Sequence, residues 1–193
     1  MRLLDVGCSS GAFLHTAREM RVRGVGVEPC IEAATAARDA GLEVHHGVLE
    51  EIPFAVDSFD VITLFEVVEH VREPLSLLCA CHRLLRPGGV VFLKTANTSS
   101  WTVCLRKGRW HYFDVRKHGG HVSFFNPRSV TLLARRSGLE PLEIVTRSVE
   151  FFEPGEDRPW IVRSFLKILT ELAQLPARLS GNGQELFVFL GKK

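Results

Sequence analysis

This chain of 193 residues lacks the charge bias of proteins that bind nucleic acids or membranes, and it lacks the paired cysteines of a disulfide framework. The net charge is only +2, so there is no basic bias toward nucleic acid or an anionic surface. The five cysteines form no Cys-x-x-Cys pair, and their odd number favours reduced thiols in a cytoplasmic protein. No signal peptide precedes the first strand-like segment, which contains Arg2 and Asp5. A hydrophobic content of 46% predicts one globular domain over residues 1–193.

The first informative stretch runs from Leu3 to Leu14 and reads LLDVGCSSGAFL. An apolar strand closes on Asp5 and Gly7, and a Gly/Ser-rich turn then leads into a segment with helical spacing. In an open α/β sheet, a strand, tight turn and helix in this order bind a nucleoside-bearing cofactor. The turn glycines let the backbone approach a ligand, and the first N–H groups of the helix favour an anionic group.

The pattern of Asp5, Gly7, Ser9 and Gly11 resembles motif I of class I S-adenosylmethionine (SAM)-dependent methyltransferases, with serine in place of the middle glycine. Two later stretches also resemble this family, GVLEEIPFAVDSFDVITLFEVVEHV and LLRPGGVVFLKTAN. The resemblance covers residues 3–138 and is similar to the ubiquinone-pathway O-methyltransferase group. It implies SAM as the cofactor and methyl transfer to an oxygen, in preference to a nitrogen, of a small metabolite. The N-terminal lid helices of the family are missing from this sequence.

A second cofactor contact is expected at Glu28, which ends a short strand at the spacing of a ribose-binding carboxylate. In members of the family that this chain resembles, an acid that contacts adenine often stands at the position of Val48. Here Glu50 or the Leu49 backbone takes over the adenine contact, or the contact is missing. The family resemblance and the spacing together predict cofactor contacts at Asp5, Gly7, Cys8, Ser9, Gly11, Phe13, Glu28, Pro29, Leu49, Glu50, Phe65 and Glu66.

A cluster of ligand-type residues follows the fourth predicted strand in the sequence EVVEHV. If a helical turn begins there, Glu66, Glu69 and His70 share one face. Their spacing is similar to that of methyltransferases in which a Glu-x-x-Glu-His set and a later histidine, here His121, hold a divalent cation. A cation would lower the pKa of the acceptor hydroxyl. Without one, His70 or His121 would remove the proton directly, or the cluster would be structural.

The alternation of strand and helix patterns predicts a doubly wound, seven-stranded Rossmann-like sheet with about five helices. The family resemblance implies that the last strand, residues 185–191, is antiparallel and lies at the sheet edge. Helices are expected over residues 71–85, 127–138 and 159–175, a turn over 87–89, and a loop over 176–184.

Residues 97–120 lack periodicity and carry Trp101, Trp110, Tyr112 and Phe113 among basic side chains. We expect an acceptor-binding loop here, in which the aromatic rings shield the reacting centre; the alternative is that the tryptophans pack on the core. In the helix over residues 159–175, apolar residues on one side face charged residues on the other. This charged stripe excludes a membrane span and favours core packing or a homodimer.

Two functions of other classes compete with methyl transfer. A nicotinamide-dependent oxidoreductase would need close backbone approach to a pyrophosphate, where Ser9 stands in place of glycine. A non-catalytic or truncated SAM-binding subunit is suggested by Val48 and by the missing lid. RNA 2′-O-methylation becomes the favoured methyl transfer only if Glu66, Glu69, His70 and His121 converge on a cation.

Overall fold

The computed structural model describes residues 1–113, 120–150 and 159–193, apart from the side chains of Arg109, His111 and Arg163. The strands in these ranges are β1 (Arg2–Val6), β2 (Arg23–Glu28), β3 (Val44–His46), β4 (Phe59–Phe65), β5 (Leu85–Ala96), β6 (Glu140–Arg147) and β7 (Glu185–Gly191). The α-helices are α1 (Ala12–Glu19), α2 (Ile31–Asp39), α3 (Pro74–Leu84), α4 (Trp101–Arg106), α5 (Pro127–Arg136) and α6 (Trp160–Leu179).

The seven strands form one sheet in the order β3-β2-β1-β4-β5-β7-β6, which confirms the predicted α/β class. The first five strands in this order are parallel, and β7 is antiparallel to both neighbours. The expectation that β7 lies at the edge is wrong, because β6 pairs with its outer side and forms the edge instead. The chain order reverses between β1 and β4, the place where doubly wound sheets bind ligands.

The sheet is covered on both faces, so its inner strands are buried on two sides. Leu3 and Leu4 of β1 point to opposite faces and belong to separate apolar clusters. One cluster includes Leu14 of α1 and Ala34 of α2, and the larger one contains residues of α3 and α5. This two-sided burial accounts for the nearly unbroken apolar runs in the sequence.

Helix α3 begins at Pro74 and not at residue 71, and this difference matters for the site. Residues 66–73 form turns, in which the His70 N–H donates to the Val67 carbonyl. Proline suits the first position of a helix because its missing N–H would have no partner there, and it disfavours helical backbone at the preceding Glu73. The predicted turn over 87–89 is also wrong in its bounds, because β5 starts at Leu85 with an irregular register opposite Phe59 and Val61.

Helix α6 continues through Pro176 to Leu179, where the sequence predicts a loop. Proline removes one helical hydrogen bond, but both sides of this position are held by packing. The Gln174 side chain accepts a hydrogen bond from the Val149 N–H and donates one to its carbonyl, and Ala177 is fully buried. Within the described ranges, no helix has the length and apolarity that crossing a bilayer requires.

The segment over residues 97–120 is more ordered than its lack of periodicity suggests. It contains α4, whose first turn is capped by the Ser100 side chain, and two 3₁₀ turns, Lys107–Arg109 and His111–Phe113. Residues 114–119 of the predicted acceptor loop lie outside the described residues. The C-terminal flank leads into α5, where Asn126 and Ser129 form the expected N-terminal cap as a reciprocal capping box.

Candidate active site

A cavity of about 540 Å³ opens at the carboxyl ends of β1, β2 and β4. This volume lies within the range of small-molecule sites. Its walls come from the turns after these strands, from the segment after β3 and from the start of α3. The lining residues are Val6, Gly7, Val27, Glu28, Pro29, Gly47, Val48, Leu49, Glu50, Glu66, Val67, His70, Val71, Arg72, Glu73 and Leu77.

The turn after β1 brings its backbone to the cavity wall. Gly7 has φ 71°, and a Cβ placed on it would lie 2.5 Å from Val67 Cγ2. Ser9 has φ 50°, the left-handed conformation that the related motif usually fills with glycine. The serine therefore keeps the backbone path of the glycine turn. Gly11, with φ 83°, is the N-terminal cap of α1.

Glu28 at the end of β2 is held by its neighbours and faces the cavity. One carboxylate oxygen accepts a hydrogen bond from the Ser9 N–H at 2.8 Å, and the other accepts one from the Cys30 N–H at 2.9 Å. The residue is only 8% exposed. Each oxygen retains a second lone pair, so the carboxylate can accept further hydrogen bonds from a ligand in the cavity.

Asp5 and Cys8, both predicted cofactor contacts, have buried side chains. Burial raises the pKa of Asp5 to about 6, although a hydrogen bond from Thr63 opposes the shift. The Cys8 side chain belongs to the apolar cluster beneath α1 and α2, and burial raises the pKa of its thiol to about 12. Neither residue is among those that line the cavity. The side chains of Asp5 and Cys8 thus support the turn from below.

The far end of the cavity has an apolar wall formed by the segment after β3. Leu49 begins a 3₁₀ turn over Leu49–Glu51 and is 1% exposed, whereas Val48 is 43% exposed. Glu50 also lines the cavity, so its carboxylate is available for the role that the sequence analysis gives to Glu50 or the Leu49 backbone in place of Val48. Phe65 and Phe13 lie outside the lining residues, with their rings in edge-to-face contact at 5.0 Å between centroids.

Glu69, His70 and His121 converge beside this cavity. They offer ligand atoms that all lie within 4.8 Å of one another. The rings of the two histidines are 4.6 Å apart between centroids. Backbone hydrogen bonds hold the two segments together, since the N–H groups of Val122 and Ser123 both donate to the Glu69 carbonyl. Residues that are about fifty positions apart in the sequence therefore form one cluster.

The Glu69 carboxyl is unusual because it is 2% exposed and neither oxygen has a hydrogen-bond partner among the described residues. Burial, together with the neighbouring Glu66 carboxyl, raises the pKa of Glu69 to about 8. A buried carboxyl is costly when it is charged, and the raised pKa of Glu69 favours its neutral form at pH 7.

Glu66 does not share a helical face with Glu69 and His70, so the premise of the predicted four-residue metal set is wrong. No helix starts here, and Glu66 adopts a φ of 55°. Its Oε1 lies 3.2 Å from Lys94 Nζ, and the same ammonium lies 3.0 Å from Glu185 Oε1. Glu66 is accordingly not in the converging group of three ligands.

Lys94 contacts the cavity residue Glu66, and the sequence analysis does not predict this contact. Burial alone would lower the pKa of its ammonium, but the Glu185 hydrogen bond and the Glu66 charge raise it above the usual value. The one available signal was a cation within the apolar run of β5. Its partner Glu185 could not be inferred without the antiparallel pairing of β5 with β7.

Tyr112 connects the predicted acceptor segment to the cluster. Its ring stacks on His121 with 5.3 Å between centroids, and His121 Nδ1 lies 3.2 Å from the Tyr112 carbonyl oxygen. Burial raises the pKa of Tyr112 to about 12, and the charge of Glu66 adds to the shift. Trp110 is 1% exposed and packs on Tyr112 and Phe113, so this tryptophan follows the core-packing alternative.

The strand order, the antiparallel β7 and a cleft beside the first turn define a Rossmann-like domain with a cavity at its switch point. The chain belongs to the methyltransferase-domain family, whose sequence profile matches residues 1–144.

Its curated relatives include ubiquinone biosynthesis O-methyltransferases. The protein of Dinoroseobacter shibae is 31% identical over an alignment of 152 positions that covers 74% of this chain and 61% of the relative. That of Ruegeria pomeroyi is 33% identical over 157 residues, with 74% and 61% covered. The chain thus spans about three fifths of the length of these relatives.

Solved structures of low sequence identity share the fold. A SAM-dependent methyltransferase from Archaeoglobus fulgidus superposes with a TM-score of 0.70 at 15% identity, covering 99% of this chain and 86% of that one. A possible histamine N-methyltransferase from Thermotoga maritima gives 0.68 at 21% identity, covering 100% and 82%. At these identities the likeness concerns the architecture alone.

Proposed function

We propose that this chain is a SAM-dependent methyltransferase that transfers a methyl group to an oxygen of a small acceptor. The observation that carries the proposal is the position of Glu28, a buried carboxylate fixed by two backbone N–H groups on the wall of the cavity. The family membership supports methyl transfer over the nicotinamide-dependent oxidoreductase. The relatives named O-methyltransferases support oxygen over nitrogen.

The residues around the cavity fit SAM. Gly7 leaves room for the backbone to approach the methionine part, Glu28 has lone pairs for both ribose hydroxyls, and Val48 and Leu49 offer apolar contact to adenine. Bound there, SAM supplies an electrophilic methyl group on a sulfonium. The chain then has to align the acceptor oxygen and exclude water. Glu66 adds negative charge to the wall, which suits a cationic ligand.

Removal of the acceptor proton is assigned to the histidine pair. When the Nδ1 proton of His121 is donated to the Tyr112 carbonyl, Nε2 is the basic nitrogen of the ring. His70 lines the cavity directly and is the second candidate base. The acceptor would lie on the cavity side of these rings, next to His70, and Tyr112 would hold the His121 ring from its other side by stacking on it.

The same cluster fits a divalent cation. Two imidazoles and a carboxylate are a common donor set for transition metals, and the Glu69 oxygens are without partners among the described residues. Glu69, His70 and His121 would hold the cation, which would lower the pKa of the acceptor hydroxyl. The contact between Glu66 and Lys94 makes a three-residue set the better proposal.

Calorimetric titration with S-adenosylhomocysteine tests the cofactor assignment. We expect Glu28→Gln to weaken binding at least 10-fold, because an amide cannot accept from both backbone N–H groups and both ribose hydroxyls. Glu19→Gln is the matched control, since Glu19 lies on the outside of α1 and contacts His15. Binding of NAD and not of SAM by the unaltered protein would overturn the proposal.

Transfer of a labelled methyl group to a panel of phenols, sugars and amines tests the reaction. We expect phenols or sugar hydroxyls to be methylated. Methylation of amines alone would contradict the choice of oxygen. Tight SAM binding without transfer to any member of the panel would favour the non-catalytic SAM-binding subunit.

A further inference from the structure

Six apolar side chains form a continuous stripe on the outside of α6. They are Ile161, Phe165, Ile168, Leu172, Leu175 and Leu179, and each is 60–79% exposed. We call this set the α6 stripe. A run of large apolar residues at such exposure on a single element is uncommon on a soluble domain, and it marks an interaction surface.

The spacing of the α6 stripe is that of a coiled-coil seam. Successive members are separated by four, three, four, three and four residues, which is the a/d pattern of a heptad. The opposite side of the helix faces the sheet, with Leu166 and Ala173 partly buried and Ala177 fully buried. A helix lying in a lipid surface usually has a broader apolar face and a polar face rich in cations. The charged side chains of α6 do not separate these two occupants, because Lys167 and Arg178 outnumber Glu171. The heptad spacing of the stripe is what favours another helix.

We propose that the α6 stripe is the interface of a homodimer, in which α6 packs antiparallel against α6 of a second copy. A two-fold axis beside residue 170 brings Ile161 opposite Leu179 of the second copy, Phe165 opposite Leu175, and Ile168 opposite Leu172. This single register matches every member of the stripe. Each facing pair joins an a position to a d position, as antiparallel helix pairs require.

The area of this surface is sufficient for a dimer. Val162 and Leu169 flank the stripe and are 39–40% exposed. If each large apolar side chain offers on the order of 170 Å², these residues and the stripe together expose roughly 800 Å² per copy. A standard protein interface buries about 800 Å² per partner. The interface uses none of the residues around the cavity, so the proposal is independent of methyl transfer.

Sedimentation equilibrium of the full chain tests the proposal. We expect a monomer–dimer equilibrium in the micromolar range or tighter, and the double variant Phe165→Glu with Leu172→Glu should weaken it at least 100-fold. Both side chains are exposed, so the variant should keep its circular dichroism spectrum and Tm. Lys167→Glu on the flank of the helix is the control and should leave the dimer intact.

Cross-linking tests the antiparallel register. In a background with the exposed Cys30, Cys79 and Cys104 changed to serine, Glu171→Cys should join two copies through a short bismaleimide because residue 171 lies beside the axis. Ser164→Cys is equally exposed on the same side of the helix, but its two copies would be about 18 Å apart along the axis. The proposal would be overturned by a monomeric wild type or by a dimer that persists in the double variant. Equal cross-linking at both positions, or a monomer that sediments with phosphatidylglycerol vesicles, would also overturn it.

Discussion

Thr63 donates a hydrogen bond of 2.7 Å to Asp5 in the middle of the sheet, where the two residues are register partners on β4 and β1. Asp5 is 3% exposed, and its burial outweighs this bond in setting the charge of the carboxyl. The negative charge of Glu28 acts in the same direction as the burial. The acid that resembles the first residue of motif I therefore titrates close to pH 6, where an exposed aspartate would already be ionised.

The raised pKa of Asp5 makes folding stability depend on pH. The folded protein holds this proton up to about pH 6 and the unfolded chain releases it near pH 3.8, so this contribution to stability falls as pH rises between the two values. Asp5→Asn removes the titration and keeps an acceptor for Thr63. We expect urea unfolding to show that the free energy of unfolding of Asp5→Asn, relative to that of the wild type, increases by about 2–3 kcal/mol from pH 4 to pH 7.

Asp60 provides a control of the opposite sign. Hydrogen bonds from the Arg2 backbone and the Arg86 side chain hold the pKa of Asp60 below its usual value. Folding therefore favours the ionised form of Asp60. The free energy of unfolding of Asp60→Asn should decrease relative to that of the wild type as pH rises. Parallel pH profiles for Asp5→Asn and the wild type would show that the buried carboxyl does not titrate as described.

A second prediction concerns the turn after β1. Gly7→Ala should destabilise the fold by about 2–4 kcal/mol, from the left-handed backbone and from the contact with Val67. Gly88→Ala is the matched control, because Gly88 has a φ of 79° and open space where a Cβ would stand. It should cost only about 1–2 kcal/mol. Denaturant unfolding measures both costs, and equal losses would mean that Val67 moves aside.

Much of this fold could be predicted from the sequence because its local signals agree with its packing. The run from Phe59 to Phe65 is buried on two faces, and Asn126 and Pro127 start α5 as their cap and first-turn chemistry indicate. The errors occur where tertiary contacts decide. Pro176 remains helical because Gln174 and Ala177 are held on either side, and β7 lies inside the sheet because β6 covers its edge.

The candidate site could be predicted where its groups lie at the ends of strands. Gly7 and Glu28 reach the cavity because adjacent parallel strands end at the same edge of the sheet. His121 was paired with His70 through a family resemblance, and the hydrogen bonds to the Glu69 carbonyl give this pairing its physical basis. Lys94 escaped prediction because its importance depends on Glu185, which only strand pairing brings near.

A third prediction tests the contact of Lys94 with two carboxylates. Lys94→Met leaves Glu66 and Glu185 without their shared cation, and we expect a loss of about 1–2 kcal/mol, discounted because all three side chains are about one-third exposed. The double variant Lys94→Met with Glu185→Gln should recover part of the loss. Lys193→Met removes an exposed pair with Glu140 and should change stability by less than about 0.5 kcal/mol. An additive double variant would argue against coupling.

A fourth prediction separates the two proposed roles of the histidine cluster. If Glu69, His70 and His121 hold a cation, Mn²⁺ titration should show one site in the wild type, and His121→Ala should weaken it at least 10-fold because one of three protein ligands is lost. His15→Ala is the control, since His15 lies on the surface of α1. S-adenosylhomocysteine affinity should stay the same in both variants. If Mn²⁺ does not bind the wild type, the cation proposal is wrong. A lower kcat in His121→Ala would then support the role of His121 as the base, because a histidine can remove the proton without a cation.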